Sequence, residues 1–381
     1  MAGKTDGQRR GYAVGQMSAA KTLDAPVPPG GTIGILGGGQ LGRMLAQAAA
    51  KLGLKSRVFC DNPKSPAFQV CDAHTIGKFE DLGAIAAFAR QCDVVTLEFE
   101  NIPAETIEHI ADLVPVNPGA RALRITQDRI DEKNFLRDAG LKTAPYFSVT
   151  SDDYFESALL MCGEPSIFKT RRMGYDGKGQ AKVASGNELA EAYARFGSAP
   201  GILEGFVDFA FEASVIAARG HDGSFAAYDS PENAHENHIL RRSTVPGRLT
   251  AKQNEDAKQI AKKIGDALGY VGVFAVELFA MMDGALLVNE IAPRVHNSGH
   301  WTLEACAVSQ FEQHIRAVAG WPLGDPSRHA DAVMENIIGE EAAHWADYAC
   351  RPGALHLYGK PEIRAGRKMG HFTQLAPLTR R

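Results

Sequence analysis

Two glutamates, Glu277 and Glu290, lie in apolar segments on either side of the dipeptide Asp283-Gly284. Asp-Gly is a favoured two-residue loop of a β-hairpin, so the pattern predicts two antiparallel strands joined there. With that loop, the two glutamates are direct cross-strand partners on one face, with Cβ atoms roughly 5 Å apart. Two carboxylates opposed in an apolar environment repel each other, so the pattern indicates either a shared proton or a bound cation.

The ligand types at this hairpin indicate which cation it would hold. Oxygen ligands without histidine or cysteine favour Mg²⁺, with Mn²⁺ as a second option, and magnesium commonly joins one or two carboxylates to nucleotide phosphates. We therefore expect Glu277 and Glu290 to bind the ion, and Asn289 could add an oxygen. A proton-sharing pair, or a slipped register that separates the glutamates, is the alternative.

A dense polar cluster follows the second strand directly, in the segment APRVHNSGH. Arginine supplies positive charge, and the neighbouring histidine, asparagine and serine side chains can orient a small anion. The residues that we assign to this anion site are Arg294, His296, Asn297 and Ser298. His296 and His300 are four residues apart, which could indicate zinc, but Gly299 and the absence of a predicted helix argue against it.

The segment FKTRRMGYDGKGQ, Phe168–Gln180, is basic and rich in glycine. Lys169 ends an apolar run that predicts a strand, and a lysine there can reach a phosphate as a point charge. Gly174, Gly177 and Gly179 allow the loop to close and let its amides approach an anion. The segment predicts a triphosphate partner, although the Walker A pattern is absent, and a mobile surface hairpin is the alternative.

A glycine turn near the amino terminus offers a competing interpretation. Gly37, Gly39 and Gly42 satisfy G-x-G-x-x-G between a predicted strand and helix, and Asp61 ends the next strand. That pattern is the dinucleotide fingerprint and suggests a nicotinamide-dependent dehydrogenase, but any turn that brings amides near a phosphate needs such glycines. Further along, Glu98 and Glu100 follow a hydrophobic strand and are either ligands or solvated loop carboxylates.

Composition and periodicity bound the fold class. The chain has 381 residues, 45% hydrophobic and 23% charged, with a net charge of -4 that argues against a general nucleic-acid binder. No apolar run reaches the ~18 residues of a membrane helix, and the six cysteines are scattered, which favours a cytoplasmic protein with reduced thiols. Strands alternate with helices up to about residue 125 and predict a parallel sheet. Residues 1–30 are polar without an apolar signal region and predict a disordered extension.

Taken together, the motifs resemble the ATP-grasp superfamily, and within it the N5-carboxyaminoimidazole ribonucleotide synthases of purine biosynthesis. The segments that carry the resemblance are GILGGGQLGRM, TLEFENIP, KTRRMGYDGKGQ, VELF, NEIAPRVHNSGHWT and RAGRKMGH. The family converts ATP, bicarbonate and 5-aminoimidazole ribonucleotide to the N5-carboxy product, ADP and phosphate.

The resemblance implies a mixed α/β and α+β fold in three domains. These are an N-terminal parallel-sheet pre-ATP-grasp domain over residues 31–126, a central lid over 127–200, and a C-terminal domain over 201–381 that ends in a small antiparallel piece. It also implies a homodimer that binds small-molecule substrates.

The resemblance further implies individual roles. Residues that would bind ATP are Arg129, Lys169, Gly174, Tyr175, Asp176, Gly177, Lys178, Gly179, Gln180, Glu204, Gly205, Phe206, Val207, Glu212, His235, Asn289 and Glu290. Residues that would meet the ribonucleotide are Gln40, Leu41, Glu98, Lys360, Arg367 and Lys368. Without the resemblance, Arg129 with Lys133 reads as a solvated helix face and the C-terminal cations read as a solvated basic tail.

Two further alternatives stay open at this point. One is another ATP-grasp enzyme that activates a different acid, such as formate in the glycinamide ribonucleotide formyltransferase. The other is a nucleotide-binding module without catalysis, which the carboxylate pair argues against.

Overall fold

The computed structural model describes residues 21–174 and 179–379. Its first part alternates short apolar strands with helices, as the periodicity predicts. The strands are β1 (Thr32–Leu36), β2 (Lys55–Cys60), β3 (Ala73–Ile76) and β4 (Val94–Leu97), and the helices are α1 (Gln40–Lys51), α2 (Leu82–Ala89) and α3 (Ala104–Ala111). The strands form a sheet in the order β3-β2-β1-β4 with every pairing parallel. The predicted parallel sheet is confirmed.

Two short helices, α4 (Ala120–Thr126) and α5 (Arg129–Asp138), lead into a second sheet. Its elements are β5 (Tyr146–Val149), α6 (Phe155–Cys162), β6 (Ser166–Thr170), β7 (Gln180–Val183), α7 (Gly186–Arg195) and β8 (Gly201–Gly205). This antiparallel sheet, in the order β5-β8-β6-β7, packs on α6 and α7 through its own apolar core. It runs across residue 200, where we predicted a domain boundary, and the division into domains stays a prediction.

The third part is built on a large sheet with the order β14-β13-β9-β11-β12-β15-β17-β16. Its strands are β9 (Phe209–Arg219), β10 (Phe225–Ala227), β11 (Glu232–Glu236), β12 (Ile239–Val245), β13 (Gly272–Met281), β14 (Leu286–Ala292), β15 (Asp331–Ile338), β16 (Ala354–Leu357) and β17 (Lys368–Ala376). Its helices are α8 (Ala251–Leu268), α9 (Thr302–Ala305), α10 (Gln310–Val318) and α11 (Trp345–Ala349). The predicted antiparallel piece at the carboxyl terminus continues this sheet through β15, β17 and β16.

Residues 21–30 pack on the rest of the chain. Val27 is buried, its amide donates to the carbonyl of Ala319, and its carbonyl accepts a 2.7 Å hydrogen bond from the indole of Trp321. This packing departs from the predicted disordered extension for residues 21–30, while residues 1–20 lie outside the described residues. The same apolar core joins α1 to α10 and so holds the amino-terminal sheet against the large sheet.

Candidate active site

The β13–β14 hairpin places Glu277 directly opposite Glu290. The loop between the strands is longer than predicted, because the amide of Met281 donates to the carbonyl of Ala285 and leaves residues 282–284 in the turn. A β-bulge compensates: Leu278 pairs with Val288, so the register skips Asn289 before the glutamates meet. The predicted two-residue loop is wrong, but the predicted facing pair is confirmed.

The environment of this pair disfavours two bare negative charges. Burial and the charge of Glu290 raise the pKa of Glu277 to about 7. Arg129 Nη1 lies 3.2 Å from Glu290 Oε2, and His296 Nε2 lies 3.3 Å from Glu277 Oε1. Burial and the nearby Arg294 lower the pKa of His296 well below its usual range, so this imidazole brings no charge at neutral pH. Because His296 is neutral, it does not offset the charge of Glu277, and a cation between the two carboxylates would favour the ionised form of Glu277.

Three cations surround the buried carboxylate of Glu204. Lys169 Nζ lies 3.0 Å and Lys133 Nζ 3.4 Å from its Oε2. Although burial opposes the change, Lys133, Lys169 and Arg129 lower the pKa of Glu204 to about 2. Lys133 also donates to the carbonyl of Asn289 at 2.8 Å and so ties the helix α5 to the bulge. Glu204 thus aligns two lysines beside the carboxylate pair.

The basic glycine loop is anchored at its first half. Asp128 is buried, caps α5 through the amides of Ile130 and Asp131, and pairs with the guanidinium groups of Arg171 and Arg172. The carbonyl of Gly174 accepts a 3.4 Å hydrogen bond from Arg129. Four predicted ligands, Tyr175, Asp176, Gly177 and Lys178, lie outside the described residues.

The second half of the loop returns to the lid sheet. Gly179 has a positive φ of 74°, and a Cβ there would lie 2.5 Å from Thr170 Oγ1, so the position requires glycine. Gln180 then pairs with Lys169 across β6 and β7.

The segment predicted to bind adenine and ribose spans the end of β8 and the start of β9. The amides of Gly205 and Phe206 donate to the carbonyls of Pro145 and Pro165, so these two groups are used within the protein. Val207 follows them in the connection between the two strands.

On β9, Glu212 pairs with His235 of the adjacent strand. Burial opposes protonation of His235, yet its bond to Glu212 and the nearby Glu277 raise its pKa.

The polar segment after β14 turns back over the sheet. Arg294 is held by a two-pronged ion pair with Glu100, one contact being 2.8 Å between Nη2 and Oε1, and this pair raises the pKa of Arg294 although burial opposes it. Within the described residues, both side-chain polar atoms of the buried Asn297 lack a hydrogen-bond partner. A guanidinium and an unused buried amide near it are suited to a small oxyanion.

His296 and His300 have different partners. His296 faces Glu277, whereas His300 is buried against Phe311 and its Nδ1 lies 3.2 Å from Gln310 Nε2. Residues 21–174 and 179–379 contain no group of three or more His, Cys, Asp or Glu side chains arranged to hold a metal ion. The i,i+4 histidine spacing therefore has no structural support as a zinc site.

The glycine turn after β1 is filled by a carboxylate of the protein. The amides of Gly39 and Gly42 donate to Glu98 at 2.6 and 3.0 Å, and a Cβ at Gly37 would lie 2.4 Å from Glu98 Cγ. Burial raises the pKa of Glu98, so it is not a solvated loop carboxylate. The glycines thus admit Glu98 into the turn, which removes the main support for a dinucleotide site.

Gln40 and Leu41 begin α1 immediately after this turn. The side chain of Leu41 is buried in the core, whereas Gln40 is half-buried.

The C-terminal cations reach the same region. Lys360 donates to the carbonyl of Lys368 at 2.6 Å, and its charge acts to lower the pKa of Glu98. The charge of Lys368 acts in the same direction on Glu277. Arg367 donates to the carbonyl of Glu362. Lys360 and Lys368 therefore do not form a solvated tail.

Sequence reasoning missed three residues that organise the site. Glu100 was predicted to be either a ligand or a solvated loop carboxylate, whereas it forms an ion pair with Arg294. Lys133 was noted only beside Arg129, and Asp128 not at all, yet they tie α5 to Glu204 and to the loop arginines. The signal for Asp128 was its position before a helix, which favours an N-cap.

Comparison with known protein families covers almost the whole described chain. Models match for a ribonucleotide synthetase preATP-grasp domain over residues 31–127, an ATP-grasp domain over 134–311, and a phosphoribosylaminoimidazole carboxylase C-terminal domain over 332–380. The N5-carboxyaminoimidazole ribonucleotide synthase of Brucella melitensis is 50% identical over 354 residues, which are 92% of this chain and 98% of that protein. The chain belongs to the N5-carboxyaminoimidazole ribonucleotide synthase family.

Solved structures of N5-carboxyaminoimidazole ribonucleotide synthases share the fold. The Staphylococcus aureus protein in complex with ADP superposes with a TM-score of 0.87 at 37% identity, covering 91% of this chain and 93% of that one. The Aspergillus clavatus protein in complex with ADP and 5-aminoimidazole ribonucleotide gives 0.86 at 31% identity, covering 92% and 94%.

The predicted family, fold class and enzyme class, an ATP-grasp ligase, are confirmed, and the dehydrogenase interpretation is not supported. No helix among the described residues is long and apolar enough to cross a membrane.

Proposed function

We propose that this chain carboxylates 5-aminoimidazole ribonucleotide at its exocyclic amine, with ATP and bicarbonate, in purine biosynthesis. The products are N5-carboxyaminoimidazole ribonucleotide, ADP and phosphate. Family membership supports the reaction. The observation that carries it is the facing pair Glu277–Glu290. Arg129 contacts Glu290, and the charges of Lys368 and Arg294 interact with Glu277 and Glu290 respectively.

ATP lies between the lid sheet and the large sheet in this proposal. Arg129 and Lys169 contact its phosphates, and the loop from Gly174 to Gln180 closes over them. Because the amides of Gly205 and Phe206 are already bonded within the protein, the adenine edge pairs with the backbone around Val207. Glu212 accepts the ribose hydroxyls, and its partner His235 lies beside the nucleotide.

The carboxylate pair fits a hard divalent cation. Glu277 and Glu290 would hold Mg²⁺, or Mn²⁺, with an oxygen of Asn289, because two facing carboxylates offer the oxygen ligands that these ions prefer. When bound, the ion neutralises charge on the phosphates during phosphoryl transfer. The raised pKa of Glu277 supports this assignment, since burial and the charge of Glu290 both disfavour its ionised form and a bound cation would offset both effects.

Bicarbonate binds at Arg294 with His296, Asn297 and Ser298. Its oxygen attacks the γ-phosphorus of ATP, the bond to the bridging oxygen of ADP breaks, and carboxyphosphate forms beside Arg294. Lys169 and Arg129 stabilise the charge on the transferred group, and loop closure excludes water from the labile intermediate. The amine then takes the carboxyl group, directly or through CO₂, and phosphate leaves.

The ribonucleotide occupies the side of the site formed by the amino and carboxyl termini of the fold. Lys360, Arg367 and Lys368 meet its phosphate, and Gln40, Leu41 and Glu98 approach it from the glycine turn. Since the side chain of Leu41 is buried, only its backbone takes part. The influence of Lys360 on Glu98 supports a common surface for the two segments.

The decisive assay measures ADP release with each combination of ATP, bicarbonate and 5-aminoimidazole ribonucleotide. Turnover should need all three, and formate should not replace bicarbonate. Glu290→Gln should abolish ADP release because it removes half of the carboxylate pair. Asp283→Asn, a matched acid-to-amide change in the exposed hairpin turn, should leave turnover unchanged. Near-normal turnover of Glu290→Gln would refute the metal role.

The homodimeric state implied by the resemblance and the cytoplasmic location favoured by the scattered cysteines stay predictions. Light scattering coupled to size-exclusion chromatography tests the first of them.

A further inference from the structure

A chain of buried side-chain hydrogen bonds crosses one face of the large sheet and ends at His296. It joins Ser243, Asn233, Ser214 and Ser298 in that order, with contacts of 2.7 Å, 2.9 Å and 2.7 Å. Ser298 Oγ then lies 2.9 Å from His296 Nδ1, and His296 Nε2 lies 3.3 Å from Glu277 Oε1.

The strand register puts these groups on one face. Ser214 is the cross-strand partner of Glu277, and Asn233 is the partner of both Glu212 and Ser243. Directly paired residues point to the same side of a sheet. The three serines are fully buried and Asn233 is 7% exposed. Water therefore has little access to compete for these hydrogen bonds.

Asn233 gives the chain a direction. Its Oδ1 accepts from Ser243, and its Nδ2, which can only donate, points at Ser214 Oγ. This direction leaves the Ser214 hydroxyl proton for Ser298 Oγ and the Ser298 hydroxyl proton for Nδ1 of His296, at the contacts of 2.7 Å and 2.9 Å.

The backbone supplies independent support at the other end. The amide of Ser298 also points at His296 Nδ1, at 3.4 Å, and an amide N–H can only donate. This contact favours a lone pair on Nδ1 and a ring proton on Nε2, toward Glu277.

We propose that Ser214 and Asn233 are positioning residues that fix His296 as its Nε2–H tautomer, which donates to Glu277. When Glu277 is ionised, the opposite tautomer would place the Nε2 lone pair against the carboxylate and repel it. This role rests on the proposed function for its catalytic meaning, because it sets the orientation of Glu277 beside Glu290. The tautomer itself is defined by the hydrogen-bond geometry alone.

The test is a long-range ¹H–¹⁵N correlation spectrum of the full chain labelled with ¹⁵N-histidine, without nucleotide. His296→Gln identifies the His296 signals. The wild type should show a protonated Nε2 and an unprotonated Nδ1. Observation of the Nδ1–H form in the wild type overturns the proposal, whether or not the chain proves to be a carboxylase.

The variant that reverses the direction of these hydrogen bonds is Asn233→Asp at pH 8. An ionised carboxylate accepts from both Ser214 and Ser243, so Ser214 no longer donates to Ser298, and the population of the Nδ1–H form of His296 should rise above that of the wild type. Ser243→Ala is the matched control, because it keeps the amide donor to Ser214 and should keep the wild-type tautomer.

An unchanged tautomer in Asn233→Asp also overturns the proposal. If that variant does not fold, Ser214→Ala replaces it. In Ser214→Ala the Nδ1–H form should gain population, and a spectrum identical to that of the wild type would contradict the proposed role of the hydrogen bonds from Ser214 and Asn233.

Discussion

Among single residues, Glu277 and Glu290 show which features of the hairpin its Asp-Gly pattern predicts. The facing pair was predicted from an Asp-Gly loop, and it forms even though the loop contains an additional residue. The bulge at Asn289 restores the register, and nothing in the local sequence indicates a bulge. The prediction of the facing pair is therefore correct because the extra loop residue and the bulge offset each other. The ion pair of Arg294 with Glu100 joins residues far apart in sequence, so only the tertiary structure reveals it.

The titration of Glu277 gives a prediction at this scale. Its pKa in the folded protein, about 7, lies above the 4.5 of an unperturbed glutamate. Between these values the folded state binds more protons than the unfolded state, so this group makes the free energy of unfolding fall as pH rises. Burial raises the pKa of Glu132 to about 8, with the same sign over a slightly wider window.

Glu277→Gln should therefore change the pH dependence of stability in the nucleotide-free protein with chelator present. Relative to the wild type, the variant should gain stability between pH 5 and pH 8, by at most about 3 kcal/mol. Melting temperatures by calorimetry at several pH values measure the difference. Asp283→Asn, in the exposed turn of the same hairpin, should show a flat difference. A flat difference for Glu277→Gln would contradict the raised pKa.

Among the elements, the turn after β1 carries a sequence pattern that suggested the wrong ligand. The helix α5 carries an N-cap signal that the sequence analysis did not use. The G-x-G-x-x-G pattern was correctly located between a strand and a helix, but its glycines make room for Glu98, which lies 56 residues beyond Gly42. Only tertiary structure reveals such a partner. The helix α5, by contrast, has local signals, since Asp128 precedes it as an N-cap.

Asp128 caps α5 and also holds the loop arginines, and substitutions can separate these two roles. Asp128→Ala removes the cap of α5 and both arginine pairs, so it should cost about 1 to 2 kcal/mol of stability. Asp128→Asn keeps a capping oxygen and should be nearer to the wild type. Both variants weaken the anchor of Arg171 and Arg172, so both should raise the Michaelis constant for ATP about tenfold.

Thermal unfolding and steady-state kinetics distinguish the two effects of Asp128. If the Michaelis constant for ATP rises only in Asp128→Ala, the arginine anchor has no part in nucleotide binding. The capped helix, which carries Arg129 and Lys133, would then be the sole contributor.

Across the whole molecule, the site depends on contacts between segments distant in sequence. The large sheet continues through β15 into β17, and β17 begins at Lys368. On the other side, Gln69, which follows the glycine turn by about 30 residues, donates to the carbonyl of Gly359 at 2.9 Å, so the amino-terminal part of the described chain contacts its carboxyl-terminal part. Composition and periodicity could not predict this contact, and only the family resemblance assigned the C-terminal cations to the site.

Substitution of Lys360 tests whether this contact region forms the ribonucleotide site. Its ammonium is held 2.6 Å from the carbonyl of Lys368 and 5.5 Å from the centroid of the Tyr358 ring, so it is fixed in place before a ligand arrives. Loss of one charge-assisted hydrogen bond to a phosphate costs roughly 1.5 to 3 kcal/mol. Lys360→Ala should therefore raise the Michaelis constant for 5-aminoimidazole ribonucleotide about 10- to 100-fold and leave that for ATP nearly unchanged.

The matched control for Lys360→Ala is Arg364→Ala, which removes the same charge from an exposed side chain four residues away. It should change neither Michaelis constant, because long-range attraction of the substrate phosphate is weak at physiological salt. Equal effects of the two variants would mean that net charge, not contact, governs ribonucleotide binding. A rise confined to ATP in Lys360→Ala would place the nucleotide where we place the ribonucleotide, and would reverse the orientation of both substrates across the Glu277–Glu290 pair.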